Sequence, residues 1–505
     1  MSPEPARSTA ERTASRSTVV ERDLGSAPAS TALAHLPRPV LKMRWVRLLA
    51  LTAVVALGLA APAQAQNACF GQTDADSVEQ KPGPALRFGI TPGVQTGQYV
   101  TGAVPPRTPE DPAKQVAGLA GLRPGDGPFV LRLHRFFWSG GEDEIRRVLA
   151  LSDLYTRAGY LVELQLRYHP NAQQEGDIGA WVEHVREVVR RFGANPRVVA
   201  IQVTNEVNIT FSPDSSDGSY TGARDALIEG VVAAKDEVRK RGFRQLEIGF
   251  NWAYRSEPSA ENGFWSYLRD HGGPRFVEAL DWVGVDAYPG TVFPPAHTEG
   301  GERDGMVNAF STFRCYAGSA GIPETVPIHV EENGWPTAPP ERSYEQQAKV
   351  AETLVRAVND FRGTYNITDY RWFNLRDGDT TSPNFQTQYG LMTDEYEPKP
   401  AYGVYSRLVR ELTERYAKPR LTLSVRCRAR RWGAAVGGPD VDQVLSATFR
   451  VGDLHAPTDA RAPFERSISA RTFDRDRRRW NMVARVTLID GRTADLHRRI
   501  GRCDR

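Results

Sequence analysis

Between about residues 84 and 415 the chain alternates short apolar runs with longer stretches whose apolar positions recur at helical spacing. The short runs fall at 86–90, 129–133, 161–166, 198–203, 246–250, 282–289, 326–332 and 369–374, most of them bounded by Gly, Pro or Asn. Runs of that length closed by turn residues read as strands. Helical stretches lie between them at 142–158, 181–192, 223–241, 276–280, 343–361 and 401–416. Ser343 is placed to cap the helix that follows it, with Glu345 in the first turn. Eight strand signals alternating with helices predict a parallel sheet with crossover helices. Over some 330 residues, a closed (β/α)8 TIM barrel with elaborated loops fits better than an open sheet.

The period changes after Lys418-Pro419, which reads as a linker. Residues 421–425, 444–451 and 482–489 alternate apolar with polar positions, and Gly and Asp turns separate them. That pattern predicts a small all-β module of the sandwich type. The module is rich in Arg, and its basic run at 475–479 reads either as a solvated β-turn or as a contact for anionic wall polymer.

A chain of 505 residues suits one large domain plus a smaller one. A formal net charge of +3 is nearly balanced and gives no electrostatic case for nucleic acid. Residues 1–42 lack apolar periodicity and cannot bury a core, and Met43 is an alternative start. Residues 43–65 then carry basic residues, an apolar stretch and an Ala-x-Ala pattern, the marks of a secretory signal peptide cut before Gln66. The apolar stretch is shorter than the roughly 20 residues a spanning helix needs, so no lasting membrane anchor is expected. The expected organisation is thus 43–65 as signal peptide, 66–418 as barrel domain and 419–505 as sandwich, in a secreted monomer. Cys69, Cys315, Cys427 and Cys503 all follow the cut. An even count in an exported chain favours disulfides, and four cysteines allow three connectivities. The most economical pairs Cys427 with Cys503 and Cys69 with Cys315. No Cys or His cluster has metal-ligand spacing, so neither metal nor cofactor is expected.

The candidate chemistry sits where strands end. The seventh run closes in Glu331-Glu332 and is broken at once by Asn333-Gly334-Trp335-Pro336, while the fourth leads into Thr204-Asn205-Glu206. A barrel places its chemistry at the C-terminal tips of its strands, and strands four and seven face each other across the mouth. Two carboxylates there can flank a glycosidic bond, one as acid and one acting on the anomeric carbon. Because neighbouring strand residues point to opposite faces, one of Glu331 and Glu332 is expected in the mouth, and Asn-Gly-Trp-Pro favours Glu332.

With these motifs the chain resembles glycoside hydrolase clan A, the barrel enzymes that include cellulases, β-1,3-glucanases and β-xylosidases. That clan carries Asn-Glu at the end of strand four, matched here by Asn205 and Glu206, and a second Glu ending strand seven, matched by Glu332. The resemblance spans about residues 84–415 and implies a retaining β-glycosidase, with Glu206 as acid/base and Glu332 as nucleophile. It further implies that Tyr288 hydrogen-bonds the nucleophile, that Trp372 lies under the bound sugar, that Arg132 stands near the nucleophile and that Asn205 contacts the sugar's 2-hydroxyl. Glu331 stands where the β-1,3-glucanase pattern has a small hydroxyl residue, and a charged His329 sits inside the strand.

Trp252, at the end of the fifth run, is a second expected sugar platform, because sugar C–H faces stack on aromatic rings. His134 and His169 follow runs two and three and could reach hydroxyl groups. The loops 207–222 and 376–389 should shape the subsites. Two other classes compete with the hydrolase: a non-catalytic carbohydrate-binding barrel, and a metal-dependent barrel enzyme.

Overall fold

A computed structural model describes residues 69–503 except 72, 95–96, 99–101, 104, 124, 126, 292–299, 414–417, 453, 471–478 and 490–491. The expectations for residues 1–65, and for the basic run as far as residue 478, lie outside the described residues. No helix among the described residues is long and apolar enough to cross a membrane.

Eight parallel strands close into a barrel: β1 (Arg87–Ile90), β2 (Val130–Phe137), β3 (Leu161–Arg167), β4 (Val198–Val203), β5 (Glu247–Ala253), β6 (Trp282–Asp286), β7 (Ile328–Asn333) and β8 (Ile367–Trp372). Each pairs with its neighbours in chain order, and β1 closes the ring by pairing with both β2 and β8. The helices are α1 (Pro112–Ala120), α2 (Gly141–Arg157), α3 (Ile178–Phe192), α4 (Ala223–Arg241), α5 (Pro258–Val277), α6 (Glu302–Ser319), α7 (Tyr344–Phe361) and α8 (Pro400–Thr413). Ser343 caps α7 as expected, its hydroxyl accepting from the Gln346 amide at 3.1 Å. The sequence reading placed only 276–280 in a helix before β6, whereas α5 begins at Pro258. Gly273, at φ 62°, interrupts α5 and masks its periodicity. It also placed no helix at α6, although Met306, Phe310, Phe313 and Ala317 form a buried face there at helical spacing.

Between strands and helices lies an apolar core. Inside the barrel the filling is different. TIM barrels generally fill that space with branched apolar side chains; here Arg132, Glu163, His329, Glu331, Asp369 and Arg371 are all buried in it. Arg371 Nη2 reaches Asp369 at 2.6 Å and Glu163 at 3.1 Å, and Arg87 Nε reaches Asp369 at 2.7 Å. His329 stacks on Trp282 with centroids 4.5 Å apart, and burial lowers its pKa against the opposing pull of Asp369.

Beyond the barrel, two antiparallel sheets pack face to face. One holds Thr422–Arg428, Arg431–Gly437 and Glu465–Ser469, and the other Leu454–His455, Val444–Val451, Arg479–Leu488 and Thr493–Gly501. Trp432, Phe449, Phe464 and Val486 fill the space between them. The expected strands at 421–425, 444–451 and 482–489 are present within two or three residues. Strands 465–469 and 493–501 were not foreseen, because much of their length is exposed and their alternation is diluted, nor was 431–437, where Trp432, Ala434 and Val436 alternate with less buried neighbours. This module meets the barrel at its N-terminal end, where Arg244 Nη2 donates to the Asp442 carbonyl at 2.8 Å. The disulfides are Cys69–Cys315, which ties the segment before β1 to α6, and Cys427–Cys503, which closes the sandwich.

Candidate active site

A cleft of about 310 Å³ opens at the C-terminal mouth, and Glu206, Glu332, Asp286, Tyr288, His134 and His169 are among its walls. Ligand sites of this kind hold a few polar groups against apolar walls.

Glu206 is held by an unusual stretch of backbone. Thr204 and Glu206 adopt φ of 65° and 46°, the left-handed region that non-glycine residues avoid and that a β-branched Thr avoids most. Each amide of the tripeptide is tied to a different neighbour. Thr204 N donates to Leu166 O (2.8 Å), Asn205 N to Asp217 Oδ2 (2.8 Å) and Glu206 N to Asn251 Oδ1 (2.9 Å). Strain kept by so many partners is characteristic of functional positions.

Glu332 is gripped from two sides. Arg132 Nη1 donates to Oε1 at 2.8 Å and the Tyr288 hydroxyl donates to Oε2 at 2.7 Å. Gln165 Nε2 adds a longer contact to Oε1 at 3.4 Å. One carboxylate oxygen each from Glu206, Asp286 and Glu332 lie within 4.8 Å of one another. Three carboxylates that close cannot all be ionised at little cost. Burial, followed by the Glu332 charge, pushes Glu206 up to about 8, and burial together with Glu332 and Glu206 carries Asp286 well above its ordinary value. Both shifts favour the protonated forms of Glu206 and Asp286.

Glu331 and Glu332 both enter the barrel. β7 carries a register irregularity against β6, so that Val285 pairs with Val330 while Asp286 pairs with Glu332. Such a bulge breaks strict alternation. Glu331 sinks into the interior, 3.2 Å from Arg132 Nε, while Glu332 takes the mouth. Gly284 makes the room: a Cβ there would stand 2.9 Å from Glu331 Cγ.

The other expected residues divide. Tyr288, His134, His169 and Asn205 line the cleft. Asn205 Oδ1 accepts from Gln165, Gln202 and Asn251, and its Nδ2 donates to Ser215 O at 2.7 Å, leaving one amide proton for a ligand. Arg132 is fully buried beneath Glu332 and is not part of the wall, so it holds the carboxylate rather than the ligand. Trp372 and Trp252 are not platforms. Trp372 faces outward onto Tyr405 of α8, and Trp252 faces outward with its Nε1 on Glu261 at 2.6 Å. Along β8, Asp369 and Arg371 point inward, so by alternation Tyr370 and Trp372 point out and Phe373 reaches the cleft.

Sequence reasoning missed Asp286, Phe373, Tyr389, Arg135 and Arg167, all on the wall. Asp286 lies two positions before Tyr288 at a strand end, a signal that was available. Among the described residues two groups have the spacing to hold a metal: Glu206 with Asp286 and Glu332, and Glu163 with His329 and Glu331. In both, guanidinium groups already sit where a cation's charge would, Arg132 on Glu332 and Glu331 and Arg371 on Glu163.

Fold and site together define a (β/α)8 barrel with an arginine-held carboxylate cluster at its mouth. No protein-family model matches the chain, and neither does any curated protein. Among solved structures it is similar to a beta-glucosidase at 17% identity, covering 59% of this chain and 87% of that one with a TM-score of 0.43. It is similar to a b-glucuronidase from Ruminococcus gnavus at 15% identity, covering 65% of this chain and 49% of that one, with a TM-score of 0.42. For the GH39 enzyme from Xanthomonas axonopodis pv. citri the values are 14%, 88%, 97% and 0.44. Likeness at this level assigns no activity, and the reading that follows rests on the chain's own geometry.

Proposed function

We propose that the protein is an exported, retaining β-glycoside hydrolase in which Glu332 is the nucleophile and Glu206 the acid/base. The observation that carries this reading is the meeting of Glu206 and Glu332, from strands on opposite sides of the barrel, with carboxylate oxygens within 4.8 Å. Retaining enzymes hold their two carboxyl groups roughly 5–5.5 Å apart, whereas inverting enzymes leave roughly 6.5–9.5 Å for a water.

Each carboxyl group has the environment its role requires. Glu332 accepts hydrogen bonds from Arg132 and Tyr288, which favour the anion that attacks the anomeric carbon. Glu206, pushed up to about 8, holds the proton that the departing glycosidic oxygen takes. Once deprotonated, Glu206 removes a proton from the water that releases the sugar from Glu332. The Phe373 and Tyr389 rings on the wall offer faces for sugar C–H groups. Export is supported by the signal-peptide pattern at 43–65 and by two disulfides, which suit an oxidising compartment.

The test is a panel of aryl β-glycosides with the anomer of the first-formed product followed by NMR, in the wild type and in Glu206→Gln. Retention in the wild type with turnover lost in the variant is expected. Sugar binding with no turnover in the wild type would leave a carbohydrate-binding barrel, and loss of activity on adding chelator would replace the proposal with metal chemistry.

A further inference from the structure

Arg135 and Arg167, from the ends of β2 and β3, converge on one ring of the cleft wall. Their guanidinium carbons lie 5.5 and 5.3 Å from the Phe137 ring centroid. The two differ in what holds them. Arg167 is buried, ion-paired with Asp217 at 2.8 Å, and donates to the Asp214 carbonyl at 3.0 Å. The Arg135 guanidinium has no ion pair among the described residues. Glu110 and Asp214 are near enough for their charge to be felt, but neither comes within pairing distance.

Arg135 is not a loose surface arm. β2 skips register against β3 between Leu133 and Phe136, and Arg135 sits in that bulge at φ 63° with its amide donating to Gln165 Oε1 at 2.9 Å. Bulges re-aim side chains, and a non-glycine residue in the left-handed region persists only where its surroundings enforce it. The enforced outcome is a second guanidinium beside the first. Burial and the charges of Arg167 and Arg147 lower the pKa of Arg135, so the arrangement is unfavourable without an anion.

Among the described residues no acid on the cleft wall pairs with Arg135: Asp214 also lines the cleft but stays outside pairing distance. His134 and His169 are neutral: burial brings His134 down to about 3 and lowers His169 as well. Glu332 is taken by Arg132, and the raised pKa values of Glu206 and Asp286 favour their neutral forms. We propose that Arg135, with Phe137 and Arg167 beside it, receives an anionic group carried by the sugar substrate, a carboxylate or a sulfate ester. On this view the protein acts on acidic glycosides rather than neutral ones, an inference that rests on the glycosidase reading above. A guanidinium fork suits either group.

Binding and turnover are measured separately, so that the two readings fail separately. Methyl β-D-glucuronide, methyl β-D-galacturonide, methyl β-D-glucoside 6-sulfate and the neutral glucoside and galactoside are titrated calorimetrically into wild type, Arg135→Met and Arg135→Lys. At least one anionic glycoside should bind about tenfold or more tightly than its neutral counterpart, the span of one charge-assisted hydrogen bond. That preference should weaken with added salt, largely vanish in Arg135→Met and return in part in Arg135→Lys. Equal affinities, no binding of any anionic glycoside, or a preference that survives Arg135→Met would each overturn the proposal. The matching 4-nitrophenyl glycosides report turnover. Anion-selective binding with no hydrolysis defeats the hydrolase reading and keeps the subsite, whereas hydrolysis without anion preference does the reverse.

Discussion

Asp369 and Asp286 are buried aspartates inside one barrel, each under 3% exposed, and their pKa values move in opposite directions. Burial alone would push both up. Deep in the barrel, Asp369 meets Arg87 at 2.7 Å and Arg371 at 2.6 Å, with His329 at 3.2 Å, and these hold it well below the ordinary carboxylate range. At the mouth, Asp286 takes one hydrogen bond from Asn251 and faces Glu332 and Glu206, so it rises far above that range. The balance of nearby guanidinium and carboxylate groups, more than depth, sets the direction of these shifts. The deep layer divides in the same way: burial and the neighbouring Glu331 push Glu163 up to about 8 although Arg371 and Arg132 stand beside it. The mouth has more acids than cations and must store protons, which is what acid catalysis needs.

The sharpest way to break this contrast is to remove the charges at the mouth. Glu206→Gln should lower kcat by roughly 10²–10⁴-fold on substrates whose leaving group needs protonation, and Glu332→Gln should cost at least as much, both read by initial rates. Neither change should unfold the protein: Gln keeps the shape, and in Glu332→Gln the buried Arg132 still has Glu331 at 3.2 Å. A variant with near wild-type rates would remove Glu206 or Glu332 from the chemistry.

Asp369→Asn should show the opposite profile. Leaving Arg87 and Arg371 partly unpaired in the interior should cost about 3–5 kcal/mol, read by denaturant unfolding at pH 7. The sign with pH follows from the lowered pKa. Stability conferred by Asp369 is present above the unfolded value near 4 and is lost as pH falls through the folded one. The gap between wild type and variant should therefore shrink in acid. Glu206 runs the other way: its raised pKa stabilises the fold most at low pH, and that contribution fades as pH climbs through about 8.

The same proton sets an activity limb. kcat/KM should fall as pH rises through about 8, where Glu206 loses its proton. In Glu332→Gln, with the neighbouring negative charge gone, Glu206 should titrate lower, as carbon-13 NMR of the labelled carboxyl would show. An unchanged titration would mean that the two groups do not sense each other.

The smallest expected effect separates wall from core. Phe373→Ala should raise KM several-fold, about 1 kcal/mol of lost ring contact, while Trp372→Phe should leave KM alone and lower only the melting temperature. Equal effects on KM would put both rings at the sugar.

Much of this was legible in the chain. Short apolar runs closed by Gly, Pro or Asn located all eight barrel strands, and Glu206 and Glu332 stood out because they close two of them. The failures share one origin. Trp252 and Trp372 end strands as the glutamates do, yet side-chain parity sends them outward and leaves the mouth to their neighbours. Arg135, Asp286 and the Glu331–Glu332 pair lie at register irregularities. A bulge is one residue of slack between paired strands and leaves no mark in either strand's own pattern.

What the sequence determined by itself was the architecture and the two acids at opposite strand ends, because strand periodicity and turn residues act locally. Which side chain at each tip faces the cleft was decided only by tertiary structure. So was the joining of Asp286 to the pair, and so were the different proton affinities of chemically identical carboxylates. Those depend on pairing register and on charges brought together from distant segments, and both exist only once the barrel closes.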